Sequence, residues 1–472
     1  MTPAINVRTT ALLTLFLLPA ALRSQQAKQS VSATDSASRT TTLRPVTVTA
    51  TRRATDVHEV AAPVSVVDSA AIRERTPSNP ADLLRELPGV DVIGVGPNQN
   101  RPSIRGQRGQ RILLLEDGMR LNNSRRQQDF GELPALVDVL AIDRIEVVRG
   151  PASVLYGTDA IGGVINLITM VPQRGSAARG RVGYQYGDAG SLGKAFGSVS
   201  GTTQGFSWQL GGSARRAGNY EAPAGSFGNL KLANKVTVLD AGVKDQSLNG
   251  YLGWRGAGQT SAFAKVEQYE AQDAGFGYVP NKLLGGDDTK IQILYPRQTF
   301  QKLTVGGAIA NLGFGIADRV EFTAYTQRNR RNLAQDIFIP FGPGTPPGAG
   351  VAIQTGNYTD LATIGTRVEA SRLLSRAVLT WGADAFQDRS FNTDTSTQTV
   401  VGFGPPRPQG SNKSSVPNAV QSSIGGFAQA SLSVVDRATL TLGGRVQQVQ
   451  SAPRFTPGVT TPVAGHSNST KF

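Results

Sequence analysis

The chain has no cysteine, and its 472 residues include only two histidines, His58 and His466. Without cysteine, a disulfide framework and a thiolate metal site are both excluded. Beyond the N-terminal segment there is no apolar run of 18 residues or more, which excludes a transmembrane helix. A membrane protein is still compatible with this composition, because a β-barrel strand alternates apolar and polar side chains and gives a weak hydropathy signal.

Acidic residues are fewer than basic residues. The chain has 34 Asp and Glu against 48 Lys and Arg, which gives a formal net charge of +14. Such a surface can simply be solvated, or it can attract anionic lipid headgroups or an anionic cargo. The basic residues are spread along the chain and no nucleic-acid-binding fold signature accompanies them, so we expect no nucleic-acid partner.

The N-terminus has the parts of a secretory signal. Arg8 supplies a positive charge, the sequence ALLTLFLL at 11–18 is an apolar core of suitable length, and small residues for cleavage follow. This arrangement predicts that residues 1–24 direct export, with the cleavage point left open between Ala20 and Gln25.

Residues 25–42 are rich in Ser, Thr, Gln and Ala without a hydrophobic period, so we expect a disordered linker. In residues 43–53, Val46 and Val48 alternate with threonines, as in an extended strand. Disorder and a basic pair flank this strand, so no neighbouring strand is expected to pair with it. A lone strand on a flexible tether suits addition to the sheet edge of another protein. A plain strand of the following domain is the alternative.

Residues 60–172 predict a mixed α/β domain. Its most informative part is residues 141–169, AIDRIEVVRGPASVLYGTDAIGGVINLIT, which predicts a strand, a short helix and a second strand. Pro151 is pre-set for the first turn of that helix and Gly157 ends it. Upstream, Asn79 is expected to cap a helix that begins at the following proline. Further segments predict strands at 63–67, 90–95, 103–106 and 111–115 and a helix at 69–75.

From about residue 180, segments of roughly ten residues alternate apolar and polar side chains. In residues 424–434, one face carries Ile, Gly, Ala and Leu and the other carries Phe, Gln and Ser. Short turns alternate with long loops, for which 270–297 and 338–358 are examples. This pattern is typical of an outer-membrane barrel. A soluble sandwich or propeller would instead need an apolar inward face of Val, Ile and Phe.

Three motifs resemble one family. Ile104-Arg105-Gly106, Leu114-Leu115-Glu116-Asp117-Gly118 and the stretch 145–165 are similar to the plug domain of TonB-dependent outer-membrane receptors. The resemblance implies an N-terminal mixed α/β plug domain inside an antiparallel transmembrane β-barrel of the outer membrane. It also implies active import of a scarce nutrient complex, such as a ferric siderophore, haem or cobalamin. The implied domains are a signal peptide (1–24), a linker (25–42), a TonB box (43–53), the plug (60–172) and the N-terminal part of the barrel (178–472).

The number of strands fits only part of such a barrel. Plugged transporters have about 22 strands, whereas about eleven are found after residue 180. Residues 464–472 read as a loop rather than a strand. We therefore expect the chain to be truncated and to cover about the first half of the barrel.

The resemblance also suggests partners and sites. The box would bind the energy-transducing protein TonB through Val46, Thr47, Val48, Thr49 and Ala50. We expect ion pairs between plug and barrel from Arg105, Arg144, Glu146 and Arg149. The segment after the Glu116–Gly118 turn resembles cargo-facing apices of haem and cobalamin receptors, and its candidate cargo-binding residues are Asn122, Asn123, Arg125, Arg126, Gln128 and Phe130.

The role of that segment has two interpretations. Arg125 and Arg126 could meet cargo carboxylates or phosphates. They could equally lie in a solvated loop or pair with the barrel wall.

No resident cofactor or metal centre is expected. Haem is usually held by an axial ligand such as histidine, but His58 lies beside the box and His466 near the end of the chain. Haem ligation by the residues present is therefore unsupported. Asp287 and Asp288 offer too few oxygen ligands for calcium.

No enzymatic activity is expected either. Glu116 and Asp117 lack a neighbouring nucleophile or metal set, and a turn before Gly118 explains them. The alternatives to active transport are a passive porin or surface adhesin of the outer membrane, and a secreted β-rich binding protein.

Overall fold

The computed structural model describes residues 47–48, 55–56, 60, 62–94, 100–121, 133–172, 177–228, 230–312, 315–414, 416–435, 438–459 and 467–471. No helix within these residues is long and apolar enough to cross a membrane.

The N-terminal part is a mixed α/β domain of short elements. Its strands are β1 (Thr47–Val48), β2 (Thr55–Asp56), β3 (Val64–Val67), β4 (Val90–Ile93), β5 (Arg101–Ile104), β6 (Gln107–Arg108), β7 (Ile112–Glu116), β8 (Met119–Arg120), β9 (Ile142–Arg149) and β10 (Gly163–Thr169). Its α-helices are α1 (Ser69–Arg75) and α2 (Ser153–Tyr156). Its 3-10 helices are Pro80–Leu84, Gly109–Arg111, Leu133–Leu136 and Val139–Ala141.

Side-chain caps define the helices that begin this domain. The Asp68 carboxylate accepts hydrogen bonds from Ala70 N and Ala71 N at the start of α1, and such a cap satisfies amides that have no partner within the helix. Asn79 caps the helix at Pro80–Leu84, as expected, and Asp82 completes a capping box with it. That helix is a 3-10 helix.

Five strands form the central sheet of the N-terminal domain, in the order β3-β9-β10-β7-β8. Only the pair β10 and β7 is parallel, and β3 is the edge strand that pairs with β9. A second sheet has the order β4-β5-β6. Ile104, Ile142, Ile145 and Val147 are fully buried in the core between these elements.

The remaining strands form one large sheet with smaller loop strands. They are β11 (Arg179–Gly187), β12 (Leu192–Thr203), β13 (Phe206–Ala217), β14 (Tyr220–Ala222), β15 (Gly225–Phe227), β16 (Leu230–Leu232), β17 (Val236–Val238), β18 (Val243–Arg255), β19 (Ser261–Gly275), β20 (Lys290–Ala310), β21 (Arg319–Pro340), β22 (Gly350–Leu374), β23 (Ala377–Val401), β24 (Arg407–Ser411), β25 (Ala419–Val435), β26 (Ala438–Pro453) and β27 (Ser467–Lys471). The 3-10 helices here are Ala189–Ser191, Ala257–Gln259 and Asn281–Leu284.

The large sheet is antiparallel and follows chain order. It runs β11-β12-β13-β18-β19-β20-β21-β22-β23-β25-β26-β27, with β24 added to β23. Buried polar side chains such as Lys302 and Gln327 occupy its inner face, whereas Leu303 and Phe322 are exposed on its outer face. A polar inside and an apolar outside are the reverse of a soluble sandwich, and they confirm the predicted antiparallel β-barrel wall.

The two edges of the wall differ. Loops of nine residues or more, at 218–242, 276–289, 341–349 and 402–418, lie along one edge, which we call the loop side. Short turns at 204–205, 256–260 and 375–376 lie along the other, the turn side. Outer-membrane barrels keep short turns on the periplasmic side and longer loops outside the cell. By this rule we expect the loop side to be extracellular.

Three expectations from the sequence are wrong. The loops predicted at 270–297 and 338–358 are shorter, because β19 to β22 extend into them. Residues 467–471 form a strand on β26 rather than a loop. Thr47–Val48 was expected to have no partner strand nearby, yet it pairs with Thr55–Asp56. In each case, pairing with a neighbouring strand sets an extended backbone conformation, although the local composition favours a loop.

Candidate functional site

The plug domain is held to the inner face of the barrel by buried charges. Asp138 is the first of these anchors. Its carboxylate accepts hydrogen bonds from Lys194 Nζ at 2.8 Å, Ser213 Oγ at 2.6 Å and Ser247 Oγ at 2.6 Å. These three partners lie on β12, β13 and β18, so one plug side chain connects three barrel strands.

The local fold presents Asp138 to the wall. Its carboxylate also caps the 3-10 helix Val139–Ala141 by accepting from Leu140 N at 3.1 Å. Burial raises the pKa of Asp138, but the charge of Lys194 and the hydrogen bonds outweigh burial and lower that pKa to about 2. The carboxylate is therefore fully ionised at neutral pH, as an anchor for an ammonium group must be.

A second anchor lies beside the first. Arg215 donates from Nη1 to the carbonyl oxygen of Ser78, at 2.8 Å, and from Nε to Asp245, at 3.0 Å. Tyr269 donates to the same aspartate at 3.1 Å. The barrel thus fixes the arginine through two of its own strands and points it at the plug segment between α1 and the helix at Pro80–Leu84.

Glu116 is the third anchor, at the end of β7. It is fully buried and accepts hydrogen bonds from Lys265 Nζ at 3.1 Å and Lys302 Nζ at 2.7 Å. Lys265 also reaches Asp117 at 2.9 Å. Burial alone raises the pKa of Glu116, but the two ammonium groups outweigh burial and hold that pKa far below its ordinary value. A buried carboxylate with two buried lysines is costly to separate, because either partner alone would be an uncompensated charge.

The backbone conformation of the turn after Glu116 suits the residues that form it. Asp117 has φ 49° and Gly118 φ 74°, and the Asp117 carboxylate accepts from Thr169 N at 2.9 Å. Arg367 of the barrel donates to the Gly118 carbonyl oxygen at 2.9 Å. The turn therefore has a structural role between plug and wall. The sequence also favoured a turn at this position over acid–base chemistry.

A fourth anchor lies at the end of α2. Gly157 has φ 78°, and the next amide, Thr158 N, donates to Gln447 Oε1 at 3.3 Å. Arg445, two residues along the same barrel strand, pairs with Asp384 at 2.6 Å. The short helix therefore contacts the last long strands of the wall.

The plug and the loop side of the barrel enclose a pocket of about 360 Å³. Plug residues Ser78, Asp82, Arg85 and Asn100 line one side. Barrel residues at the loop ends of β11, β12, β13 and β18 line the other, namely Ala189, Gly190, Leu192, Ala217, Gly218, Tyr220 and Ala241. Because its barrel lining lies at the loop side, this pocket is the candidate binding site.

Hydrogen bonds organise the plug side of this pocket. Arg85 donates to Asn100 Oδ1 at 3.2 Å and to the Val92 carbonyl oxygen at 3.2 Å. Asn100 in turn donates to Asp82 at 2.8 Å. The lining is therefore pre-organised and mostly neutral overall, with one guanidinium and one carboxylate.

Three of the predicted ion-pair residues, Arg144, Glu146 and Arg149, contact groups of the plug itself. Arg144 pairs with Glu146 at 2.8 Å and with Asp143 at 3.3 Å, all within the plug. Arg149 donates to the Pro88 carbonyl oxygen at 2.6 Å, also within the plug. Arg105 is exposed with φ 50°. Arg144 and Arg149 lie on β9, an inner strand of the plug sheet, and their pairing with the barrel stays a prediction.

Other predicted site residues fall outside the described residues. These are Val46, Thr49 and Ala50 of the box and the cargo-binding candidates Asn122, Asn123, Arg125, Arg126, Gln128 and Phe130. Thr47 and Val48 are described only as the strand β1.

The anchors themselves were missed by the sequence reasoning. Asp138 is an isolated charge in the apolar stretch ALVDVLAI, which is one available signal. Lys265 and Glu267 lie on the same face of a strand whose other face is apolar, which is a second signal. Neither names the partner, because the contacts join residues far apart in the chain.

Metal binding has no support in the described ranges. Within them, no three His, Asp or Glu side chains are grouped closely enough to hold a metal ion. Asp288 instead pairs with Lys282 at 3.0 Å, and Asp287 accepts from Asn281 at 2.8 Å.

Comparisons with known proteins agree with this architecture. Residues 56–164 match the family model described as the TonB-dependent Receptor Plug Domain. The chain is similar to proteins named Vitamin B12 transporter BtuB. One, from Vibrio vulnificus, is 29% identical over 250 residues, which cover 51% of this chain and 39% of the relative. Another, from Photobacterium profundum, is 34% identical over 218 residues, which cover 43% of this chain and 34% of the relative.

Solved structures share the fold. The copper transporter OprC superposes with a TM-score of 0.65 at 17% identity, covering 86% of this chain and 59% of that one. The ferripyoverdine receptor of Pseudomonas aeruginosa superposes with a TM-score of 0.63 at 15% identity, covering 90% and 56%. The chain therefore spans less than two thirds of the length of these relatives.

Proposed function

This chain belongs to the TonB-dependent outer-membrane receptors, and we propose that the full-length receptor imports a scarce nutrient complex across the outer membrane. Cobalamin is the first candidate cargo, because the curated relatives are named as vitamin B12 transporters. A ferric siderophore or haem is the second. The observation that carries the proposal is a plug domain anchored to the inner wall by Asp138 and Glu116, with its first sheet strand at an edge.

Energy would enter through the segment Val46–Ala50. TonB would add a strand to this segment by backbone pairing, a mode that needs an accessible strand edge. Among the described residues, β1 pairs with the two residues of β2, so exchanging this partner for a strand of TonB would cost few hydrogen bonds. Each net hydrogen bond is worth about 1 kcal/mol.

A pull on that segment reaches the plug at β3. The four residues of β3 pair with β9 in the register Val64 with Val148 to Val67 with Ile145. Peeling such a short edge strand costs a few kcal/mol by the same measure. Breaking a buried anchor such as Glu116 costs about 3–5 kcal/mol. The plug would therefore open first at β3, while the anchored part stays seated against the wall.

Cargo would arrive from the loop side. The pocket of about 360 Å³ between plug and wall is within the range of small-ligand sites. A corrinoid or iron chelate is larger, so this pocket would hold one edge of it. The segment at 122–130, with Arg125 and Arg126, remains a proposed second contact.

The passive alternatives fit less well. A porin would need an open water-filled lumen, but plug side-chain and backbone groups contact the inner wall on strands from β12 to β26. These contacts favour a barrel that opens only when work is done on the plug.

Uptake by a receptor-deletion strain tests the proposal. Cells that carry the full-length gene should accumulate labelled cobalamin, and a protonophore should stop uptake without reducing cargo bound at the surface. Labelled ferric siderophore and haem serve as parallel cargoes. Uptake of every cargo that continues after the proton gradient is dissipated would indicate a passive pore and refute the proposal.

Val48→Pro tests the box assignment. Proline removes one backbone donor from the strand, so uptake should fall to the level of the deletion strain while surface binding of cargo is retained. Ala37→Pro in the predicted linker is the control and should leave uptake unchanged. Normal uptake by the Val48→Pro receptor would show that energy does not enter through this segment.

A further inference from the structure

The outer face of the barrel carries a groove that the transport proposal does not use. It has a volume of about 640 Å³ and lies across β21 to β26. Outward-facing side chains that line it include the apolar Phe322, Ala324, Ile364, Ala385 and Ile424, and glutamine and serine side chains such as Gln387 lie at its loop-side end. Ile364 and Ile424 are 63% and 60% exposed. Two alanines, Ala324 and Ala385, leave room between the larger apolar side chains of Phe322, Ile364 and Ile424.

Strand register places two arginines directly above the groove, on the loop side. Arg328 of β21 lies opposite Ala362 of β22, and Ala362 lies opposite Arg389 of β23. Neighbouring strands are about 4.8 Å apart, so the two arginine backbones are roughly 10 Å apart. The alanine leaves a notch between the two side chains.

This row lies at the extracellular edge of the apolar band. On β23 the outward residues are apolar from the turn side up to Ala385, namely Ala377, Leu379, Trp381, Ala383 and Ala385. Gln387 and Arg389 follow. Twelve residue steps, from Ala377 to Arg389, along a strand tilted by about 40° rise roughly 30 Å, slightly more than an apolar band of about 25 Å. Arg389 therefore lies where lipid headgroups begin.

The arginines at this level carry more charge than their partners neutralise. Arg328 pairs with Asp360 at 2.5 Å, and Arg330 reaches the same carboxylate at 3.3 Å. Arg389 donates to Gln387 Oε1 at 2.9 Å, a neutral partner. Three guanidinium groups and one carboxylate leave an excess of two positive charges. An apolar groove that ends at such a cluster is complementary to an acyl chain that ends at an anionic headgroup.

We propose that this surface is a binding site for an anionic, acylated lipid of the outer leaflet. Its phosphate lies over Ala362 between Arg328 and Arg389, where charge-assisted hydrogen bonds from guanidinium groups are strong. One acyl chain fills the groove between Ile364 and Ile424. Basic residues at the membrane surface favour anionic lipid headgroups in the same way.

Lipid titration of the purified full-length receptor tests the site. The probe is diphosphorylated, hexa-acylated lipid A added to receptor in neutral detergent, with bound lipid counted by native mass spectrometry. The double variant Arg328→Gln/Arg389→Gln should bind at least tenfold more weakly. The control Arg372→Gln/Arg376→Gln removes two arginines at the turn side of the same strands and should bind like wild type.

Two further arms separate headgroup from acyl chain. Lipid A without its phosphates should bind wild type and the double variant equally. Ala385→Phe, which fills the groove but leaves the arginines, should weaken lipid A binding several-fold. Migration of unboiled receptor on a gel checks that each variant keeps its barrel.

Three outcomes would overturn the proposal. They are equal lipid A binding by the double variant and its control, unchanged binding by Ala385→Phe, and competition by inorganic phosphate alone at the same concentration as lipid A. The last would show that the arginines form a simple anion site. Cobalamin uptake is not part of this test, so its outcome is independent of the transport proposal.

Discussion

Replacing Asp138 by asparagine should loosen the plug from the barrel. The substitution keeps the size of the side chain but removes the charge that faces Lys194 at 2.8 Å. Both side chains are almost fully buried, at 6% and 8% exposure. The variant therefore leaves an ammonium group buried without its counter-charge, which is the costly way to break such a pair.

The pKa of Asp138 gives the size of the effect. That pKa is lowered from about 3.8 to about 2, and each pKa unit corresponds to about 1.4 kcal/mol, so ionisation contributes roughly 2 kcal/mol to folding. Leaving Lys194 unpaired adds to this, and broken buried pairs cost about 3–5 kcal/mol in total. We expect a loss of about 3 kcal/mol at neutral pH.

The pH dependence has a definite sign. A lowered folded-state pKa means that the contribution is complete above the unfolded-state pKa, near 4, and disappears as the pH falls toward 2. The stability difference between wild type and Asp138→Asn should therefore be constant from pH 7 to 5 and shrink below pH 4.

Hydrogen exchange of the plug measures this difference. Amides of Val139–Ala141 and β9 should exchange on the order of 100-fold faster in Asp138→Asn, since 1.4 kcal/mol is a factor of ten. Asp143→Asn is the matched control, because its carboxylate is 48% exposed, and it should change exchange by less than about threefold. Adding Lys194→Met to Asp138→Asn should recover part of the loss. Equal exchange in Asp138→Asn and Asp143→Asn would refute the anchor.

Two more substitutions test the other anchors. Glu116→Gln removes the carboxylate that faces Lys302 at 2.7 Å, so we expect β7 to lose about 3–5 kcal/mol of protection in hydrogen exchange; unchanged protection would contradict the buried cluster. Gly157→Ala places a Cβ 2.5 Å from Gln447 Oε1, and should destabilise the plug by about 1–3 kcal/mol more than Gly106→Ala. Gly106 has the same φ of 78° with open space around it, so equal thermal unfolding shifts in the two variants would show that the clash is absent.

The sequence predicts elements whose signals are local. Asn79 before a proline predicted a capped helix, and the Gly and Pro residues around α2 predicted its two flanking strands within one or two residues. Alternation predicted the barrel wall, because a sheet in lipid must separate the two faces of every strand.

What the sequence could not predict depends on distant partners. Asp138 and Ser247 are 109 residues apart, and no local pattern encodes such a contact. The loop at 338–358 was overestimated because β21 extends to Pro340 and β22 begins at Gly350, and the pairing of these two strands determines the backbone there. The strand at 467–471 was missed because its pairing with β26, rather than its polar composition, determines its backbone.

The measurement that tests the central claim most directly introduces a pair of cysteines into these 472 residues, which contain none. Val64 and Val148 are cross-strand neighbours on β3 and β9, and adjacent antiparallel strands lie within the Cα separation that a disulfide spans. In the full-length receptor with Val64→Cys and Val148→Cys, the oxidised form should bind cargo but fail to import it, and a reductant should restore uptake. Full uptake with the crosslink shown to be intact would mean that the plug does not open at β3.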